Sequence, residues 1–285
     1  MAAQVTITED QDGQRLDRLL RQLFPNLAYG QTQKLIRSGQ IRLDGKRAKS
    51  ETRVSQGQIM RLPPHIEQIQ KPKLTGQDAV KPMIVFEDAH LLVLNKPAGL
   101  ATQGGSKTTK HIDGMLAGYA DPKPRLVHRL DKDTSGILVT AKSAQAARTL
   151  ARQFQGRDVE KTYLAVVCGV PEKREGRIDA PLLKAGGKGE EKMVFDGEKG
   201  DRAITEYEVI DQMGQDISLI RFFPETGRTH QIRAHAALID CPILGDRKYN
   251  EKEVMFAGFD FNPGMHLHAL QISFTHPATG KPVQF

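Results

Sequence analysis

The segment Leu126-Val-His-Arg-Leu-Asp-Lys-Asp-Thr-Ser-Gly-Ile-Leu-Val139 constrains this chain more than any other. It sets a polar and charged run, His128 to Ser135, between the apolar segments Leu126-Val127 and Ile137-Val139. Charges between buried strands are as a rule paired or engaged in chemistry. Asp131 stands out within the run. Arg129 lies two positions before it and Lys132 directly after it, and nearby cations keep a carboxylate ionised. Such a carboxylate is a nucleophile, a base or half of a structural ion pair, and this segment alone leaves all three open.

The placement of charge divides the chain. Residues 1–75 hold 13 Lys and Arg against 7 Asp and Glu, whereas residues 76–285 hold 28 against 27. Nearly all of the formal net charge of +7 therefore sits in the first quarter. That pattern fits a module for an anionic partner attached to a nearly neutral body, although a solvated basic face would look the same. Cys168 and Cys241 lie in apolar surroundings without metal-ligand spacing, which fits a reducing compartment. The first residues lack the apolar region of a secretion signal, and no apolar run is long enough to span a bilayer. The expectation is a soluble, cytoplasmic protein.

In the basic module, Leu16, Leu19, Leu20, Leu23 and Phe24 recur at helical spacing, with Arg15, Arg18 and Arg21 mostly facing away and Pro25 ending the helix. Residues Gln31 to Ser38 predict a second helix, with Gly39 as its C-terminal cap. Asp44-Gly45 predicts a hairpin between two short strands, and Val54 to Leu62 adds a further strand after a turn at Gly57. This helix–helix–hairpin unit carries Lys34, Arg37, Arg42, Lys46, Arg47 and Lys49 on its second helix and hairpin. It resembles the small RNA-binding domain named after ribosomal protein S4, over roughly residues 13–75. The resemblance implies that Arg15, Lys34, Arg37, Arg42, Lys46 and Arg47 contact RNA. Residues 63–82 contain four prolines and no clear period, and read as a linker.

From Met83 to Phe285 the pattern is many strands with few helices between them. Strands are predicted at residues 83–86, 90–94, 137–140, 162–168, 203–210, 217–223 and 266–274, and helices at 143–155 and 229–239. The Gly- and charge-rich stretch 184–201 reads as an exposed excursion. The expected class is α+β: a large, mainly antiparallel mixed sheet flanked by helices, joined to the small N-terminal domain.

Three segments of this body belong together. They are His128-Arg-Leu-Asp-Lys-Asp-Thr-Ser-Gly136, Glu160-Lys-Thr-Tyr-Leu-Ala165 and Pro224-Glu-Thr-Gly-Arg-Thr-His-Gln-Ile-Arg233. Taken singly, Tyr163 reads as well as a core tyrosine, and Arg228 as a surface arginine. Together and in this order they resemble the RluA-type pseudouridine synthases, and the resemblance extends over residues 83–285. It implies an isomerase that converts uridine to pseudouridine in RNA, most similar to bacterial enzymes acting on large-subunit ribosomal RNA. Transfer RNA is the alternative substrate.

The resemblance also implies residue roles. Asp131 matches the family's essential aspartate, acting either by attack on the nucleoside or by proton abstraction leading to a glycal. Arg228 matches the arginine that pairs with it. Tyr163 matches the tyrosine against the target base. Arg129 matches the arginine that holds the flipped state, and Leu267 matches an apolar position beside the base, although a core leucine accounts for it equally. Gln103 departs from the family, where many relatives carry a histidine before the paired glycines, and this puts RNA contacts at that loop in question. No cofactor, metal or membrane is expected, and the protein is expected to be a monomer.

Three rivals remain. His230, His235, His266 and His268 form a possible metal set, but without the tight cysteine spacing of a structural zinc site. A non-catalytic RNA binder is disfavoured by the presence of Asp131, Tyr163 and Arg228 together. A hydrolase using Asp131 and Asp133, which share a face in an extended segment, would not require the basic module.

Overall fold

The computed structural model describes residues 4–24, 27, 29–63, 77–105, 110–156, 158–187, 192–250 and 264–285. The N-terminal domain begins with β1 (Gln4–Thr6), followed by α1 (Leu16–Leu23), α2 (Tyr29–Arg37), β2 (Arg42–Leu43), β3 (Lys46–Arg47) and β4 (Ile59–Arg61). Leu16, Leu19 and Leu20 of α1 meet Leu35 and Ile36 of α2, Ile41, Leu43 and Met60 in one closed core. Each fully buried leucine contributes roughly 1.5–3 kcal/mol relative to an exposed one. Asp44 and Gly45 adopt φ of 47° and 76°, the left-handed pair that a tight two-residue hairpin requires. The strand expected from Val54 is shortened to β4, because Ser55 to Gln58 closes a turn with a Gln58 N–H to Ser55 carbonyl bond of 3.1 Å. The unforeseen β1 pairs antiparallel with β4, giving the sheet order β1-β4-β2-β3.

Part of the expected linker is helical. Residues 64–76 lie outside the described residues. α3 (Gln77–Val80) and a 3-10 turn (Lys81–Met83) then replace the last part of the expected linker. Val80 explains the correction, because it is fully buried against Leu92, Leu94, Ile112 and Leu116.

The body continues with β5 (Ile84–Glu87), β6 (Leu91–Lys96), α4 (Ile112–Ala117), β7 (Arg125–Leu126), β8 (Ser135–Ala141), α5 (Ala144–Gly156) and β9 (Glu160–Cys168). After these come β10 (Glu175–Asp179), β11 (Leu182–Ala185), β12 (Lys192–Phe195), β13 (Ile204–Met213), β14 (Ile217–Pro224), α6 (Gln231–Leu238), β15 (Leu267–Thr275) and β16 (Pro282–Gln284). Among the described residues ten strands form one sheet, in the path β10-β13-β14-β9-β15-β8-β6-β5, with β7 on β8 and β16 on β15. Its pairs are antiparallel except β8 with β15. The stretch 184–201 is not merely an excursion, since β12 within it pairs with β11. Ser143 caps α5, its Oγ accepting from the Ala146 N–H at 3.1 Å.

The parallel junction of β8 with β15 positions the site. It is short, pairing Ser135 with His268 and Gly136 with Ala269. A Cβ on Gly136 would lie 2.2 Å from the Ala269 carbonyl oxygen, and its φ is 110°. Only glycine allows the two backbones to approach this closely. That is the structural reason for the glycine that ends the charged run. No helix among the described residues is long and apolar enough to cross a membrane.

Candidate active site

The charged run folds as a loop between β7 and β8, and buried polar groups hold it from beneath. The Thr102 hydroxyl donates to the Leu130 carbonyl at 2.7 Å and accepts from the Leu130 N–H at 3.2 Å. The fully buried Lys96 donates from Nζ to the carbonyls of Pro97, Leu100 and Lys132, at 3.0, 2.8 and 3.0 Å. Burial pushes the Lys96 ammonium down to about 8, against the charges of Asp133 and Asp131. His128 is also structural. Its Nε2 accepts from the Val139 N–H at 2.9 Å, and its ring stacks on Phe154 with centroids 4.7 Å apart. Burial, helped by the charge of Lys161, lowers it to about 3, so it is neutral at neutral pH.

Asp131 projects from this braced loop with its side chain 18% exposed. Arg233 Nη1 donates to its Oδ2 at 3.1 Å. The other edge of that guanidinium grips Asp246, Nε to Oδ2 at 2.6 Å and Nη2 to Oδ1 at 2.7 Å. Burial opposes the charge of Arg233, yet the hydrogen bonds and charges of Asp246 and Asp131 hold it above its ordinary value. The Asp246 side chain is fully buried. A fork fixed on one carboxylate presents its free edge to the second with little freedom left to lose.

This geometry corrects the pairing expected for Arg228. Arg228 lies in the turn before α6, where its Nε donates to the Arg202 carbonyl at 3.2 Å and its Nη1 lies 3.5 Å from the exposed Asp201. The physical cause is the turn between β14 and α6. The Gln231 amide oxygen accepts from the Arg228 N–H at 3.0 Å and from the Thr226 hydroxyl at 2.6 Å. His230 takes φ of 52°, so the helix begins at Gln231 and not at Thr229. Its first turn then carries Arg233 inward. Arg228 still lines the cavity wall.

His230, Asp246 and Tyr249 belong to the same cluster; the sequence singled out His230 only as a possible metal ligand, and Asp246 and Tyr249 not at all. His230 Nε2 is 3.6 Å from Asp131 Oδ2, and its Nδ1 is 3.1 Å from the Tyr249 hydroxyl. Burial lowers the His230 imidazole, against the pull of Asp131. The Tyr249 ring lies beneath the Arg233 guanidinium, 5.1 Å from ring centroid to carbon. The second arginine of the Thr226–Arg233 segment was the available signal for this cluster.

Tyr163 lies in β9, paired with Phe222 of β14 and Ala269 of β15. Burial first, and then the charge of Asp131, raise its hydroxyl above the ordinary phenol range. Tyr163, Asp131, Arg228 and Arg233 line a cavity of about 300 Å³. A wider groove of about 1090 Å³ adjoins it. Asp131, Arg129, His230, Arg233 and Leu267 border both, which puts the carboxylate at the lip between them. Arg129 is exposed there. Leu267 is both a core residue, 4% exposed, and part of the cavity wall.

Of the histidines weighed as a metal set, His230, His266 and His268 line the wide groove and His235 does not. His235 bonds the Thr205 hydroxyl and the Ala180 carbonyl, and His268 Nδ1 lies 2.8 Å from the Ser135 hydroxyl. Asp133 lines the wide groove and not the smaller cavity. Of the basic residues in the N-terminal domain, Lys34, Arg37, Lys46 and Arg47 are exposed. Arg42 braces its own hairpin, donating to the carbonyls of Gly39 and Gly45 at 3.1 Å each. Arg15 pairs with Asp17 at 2.8 Å and faces the catalytic body. Gln103 is exposed on the loop between β6 and α4.

A cavity with one braced carboxylate, attached to a basic helix–hairpin domain, is the arrangement of an enzyme that acts on a nucleic acid. Residues 90–238 match the RNA pseudouridylate synthase family and residues 14–59 match the S4 domain. The chain belongs to the RNA pseudouridylate synthase family, and it isomerises uridine in RNA. It is 36% identical to ribosomal large subunit pseudouridine synthase C of Rickettsia typhi, over 95% of this chain and 92% of that protein. It is also 36% identical to the protein of the same name from Escherichia coli K12, over 97% of this chain and 90% of that protein. The structure of human RNA pseudouridylate synthase domain containing 4 aligns with a TM-score of 0.62 at 28% identity, covering 74% of this chain and 90% of that one. Human RNA pseudouridylate synthase domain containing 1 aligns at 0.58 and 28%, covering 71% and 81%.

Proposed function

We propose that this chain modifies specific uridines of large-subunit ribosomal RNA, with Asp131 as the reacting carboxylate. The observation that carries the assignment of Asp131 is the chain of contacts from Asp131 through Arg233 to the buried Asp246. It holds one carboxylate oxygen at the lip of a cavity of about 300 Å³. The ribosomal substrate is supported by the printed names of the full-length relatives.

The reaction balances within the nucleoside. The N1–C1′ bond breaks, the base turns, and a C5–C1′ bond forms while C5 loses a proton and N1 gains one. No oxidant or second substrate enters. The target uridine leaves its stack to reach the cavity, at a cost of a few kcal/mol. Arg129 at the lip holds the extruded state, and Leu267 packs beside the base. Asp131 then attacks the nucleoside or takes a sugar proton. Arg233 is its positioning residue. Tyr163 lies against the base, and its raised hydroxyl stays protonated at neutral pH, so it relays a proton near C5 rather than acting as a free phenolate. Lys34, Arg37, Lys46 and Arg47 hold RNA phosphates. The protein acts as a monomer in the cytoplasm.

Pseudouridine mapping by carbodiimide labelling and primer extension tests this reading on large-subunit ribosomal RNA transcript and on transfer RNA, with no cofactor added. New stops in the ribosomal transcript support it. Stops confined to transfer RNA would overturn the assigned substrate.

A further inference from the structure

A second concave site lies where the two domains meet. It encloses about 510 Å³ and is lined by Arg15, Arg18 and Arg53 from the N-terminal domain and by Arg125 and Arg148 from the body. Among the described residues that line it, none is a lysine. Two contacts set its floor. Arg125 Nη2 donates to the Asp10 carbonyl at 3.0 Å, and Asp10 Oδ1 accepts from the Ala144 N–H at 3.3 Å. Ala144, Ala147 and Ala151 of α5 keep the wall low around Arg148.

The five guanidinium groups outnumber the carboxylates beside them, Asp10 and Asp12 in the lining and Asp17 on Arg15. Asp10 and Asp12 each accept from a backbone N–H, of Ala144 and of Gln56. Arg15 pairs with Asp17, and Arg53 donates to the Gly13 carbonyl at 2.7 Å. The Arg18 and Arg148 side chains are exposed and make no side-chain hydrogen bond or ion pair among the described residues, although the charge of Arg18 acts on Asp17. Like charges gathered in a concavity focus a positive potential. Arginine in preference to lysine suits a group that takes two parallel N–H bonds, as a phosphodiester does.

The cleft also has a direction. Val127 lines both it and the 300 Å³ cavity beside Asp131. Along the chain, Arg125 faces the cleft, Val127 stands between, and Arg129 is at the catalytic lip. We propose that the cleft binds the phosphodiester backbone of the RNA that leaves the catalytic cavity, across the joint between the domains. RNA seated there fixes the N-terminal domain against the body and sets the span between the docking surface and the target uridine. The proposal rests on the reading of the chain as an RNA-modifying enzyme.

The test compares full-length wild type with Arg18→Gln/Arg148→Gln. Binding of two RNAs is followed by fluorescence anisotropy across salt concentrations: a short hairpin, and the same hairpin with an extended stem. For the extended RNA, the variant is expected to bind roughly tenfold more weakly at low salt, with the slope of log affinity against log salt reduced by about 1.5. For the short hairpin, both proteins should bind alike. Arg18→Lys/Arg148→Lys should recover most of the slope, which a folding defect would not allow. Wild-type affinity and slope of the Gln variant on the extended RNA would overturn the proposal, as would an equal loss on both RNAs. Because binding is the readout, a reduced slope without any pseudouridine would support the cleft and overturn the catalytic reading instead.

Discussion

Lys34, Arg37, Lys46 and Arg47 of the N-terminal domain stand in solvent on α2 and the β2–β3 hairpin, whereas Arg233 of the body is enclosed between Asp131 and Asp246. The first group adds up as a field. Each charge is mobile and screened by salt, and contributes to affinity without fixing geometry. The second acts as a part with one position. Its value lies in orientation, and removing it strands a buried carboxylate. The same residue types therefore bind in one domain and align in the other.

The largest effect should come from breaking the aligned cluster. Arg233→Met leaves the buried Asp246 without its cation and with the Lys248 N–H on Oδ1, which costs about 3–5 kcal/mol, and activity should disappear with it. Arg228→Gln removes only an arginine that is 42% exposed and should change stability by about 0.5 kcal/mol or less. Denaturant unfolding of the two variants measures the contrast, and equal losses would break it. Next comes Gly136→Ala, whose Cβ would strike the Ala269 backbone. Steric crowding and the positive φ together should cost about 3 kcal/mol or more, read from the same unfolding curves.

A smaller effect separates binding from folding. Deleting residues 1–75 removes a closed core of its own and most of the net positive charge. The remaining body should keep its fold by circular dichroism but bind RNA more weakly and with a shallower salt dependence. Unchanged binding would mean that the basic domain is not the anchor.

The effect that vanishes at neutral pH and grows only on acidification is the pH response of His128. Its folded value is lowered to about 3 by burial, so the unfolded chain takes up its proton first as pH falls below the ordinary histidine value of about 6.5. The stability it contributes is complete above that value and declines as pH falls from there toward 3. His230, His235 and His268 are shifted the same way. Melting temperatures at pH values on either side of the window should fall less for His128→Gln than for wild type.

Much of this was legible in the residues. The leucines of α1 and the Asp44-Gly45 turn stated their structures because period and backbone preference agree locally. The long strands β9, β13, β14 and β15 were readable from apolar or alternating runs. β1 was not, because three residues with one partly buried side chain carry no pattern until β4 pairs with them. α4 was missed because it is six residues long and is capped by a histidine, His111. α3 looked like linker because a single residue, Val80, ties it to the core. The choice between Arg228 and Arg233 was the most consequential miss. Spacing places both near Asp131, and only the left-handed turn at His230 decides which one faces it.

The central claim is that Asp131, held by Arg233, is the group that reacts. Its most direct test is single-turnover release of tritium from uridine labelled at C5, in large-subunit ribosomal RNA, by wild type and by Asp131→Asn. The account predicts release by wild type and none by the variant, with RNA affinity unchanged. Release by Asp131→Asn at the wild-type rate would contradict it.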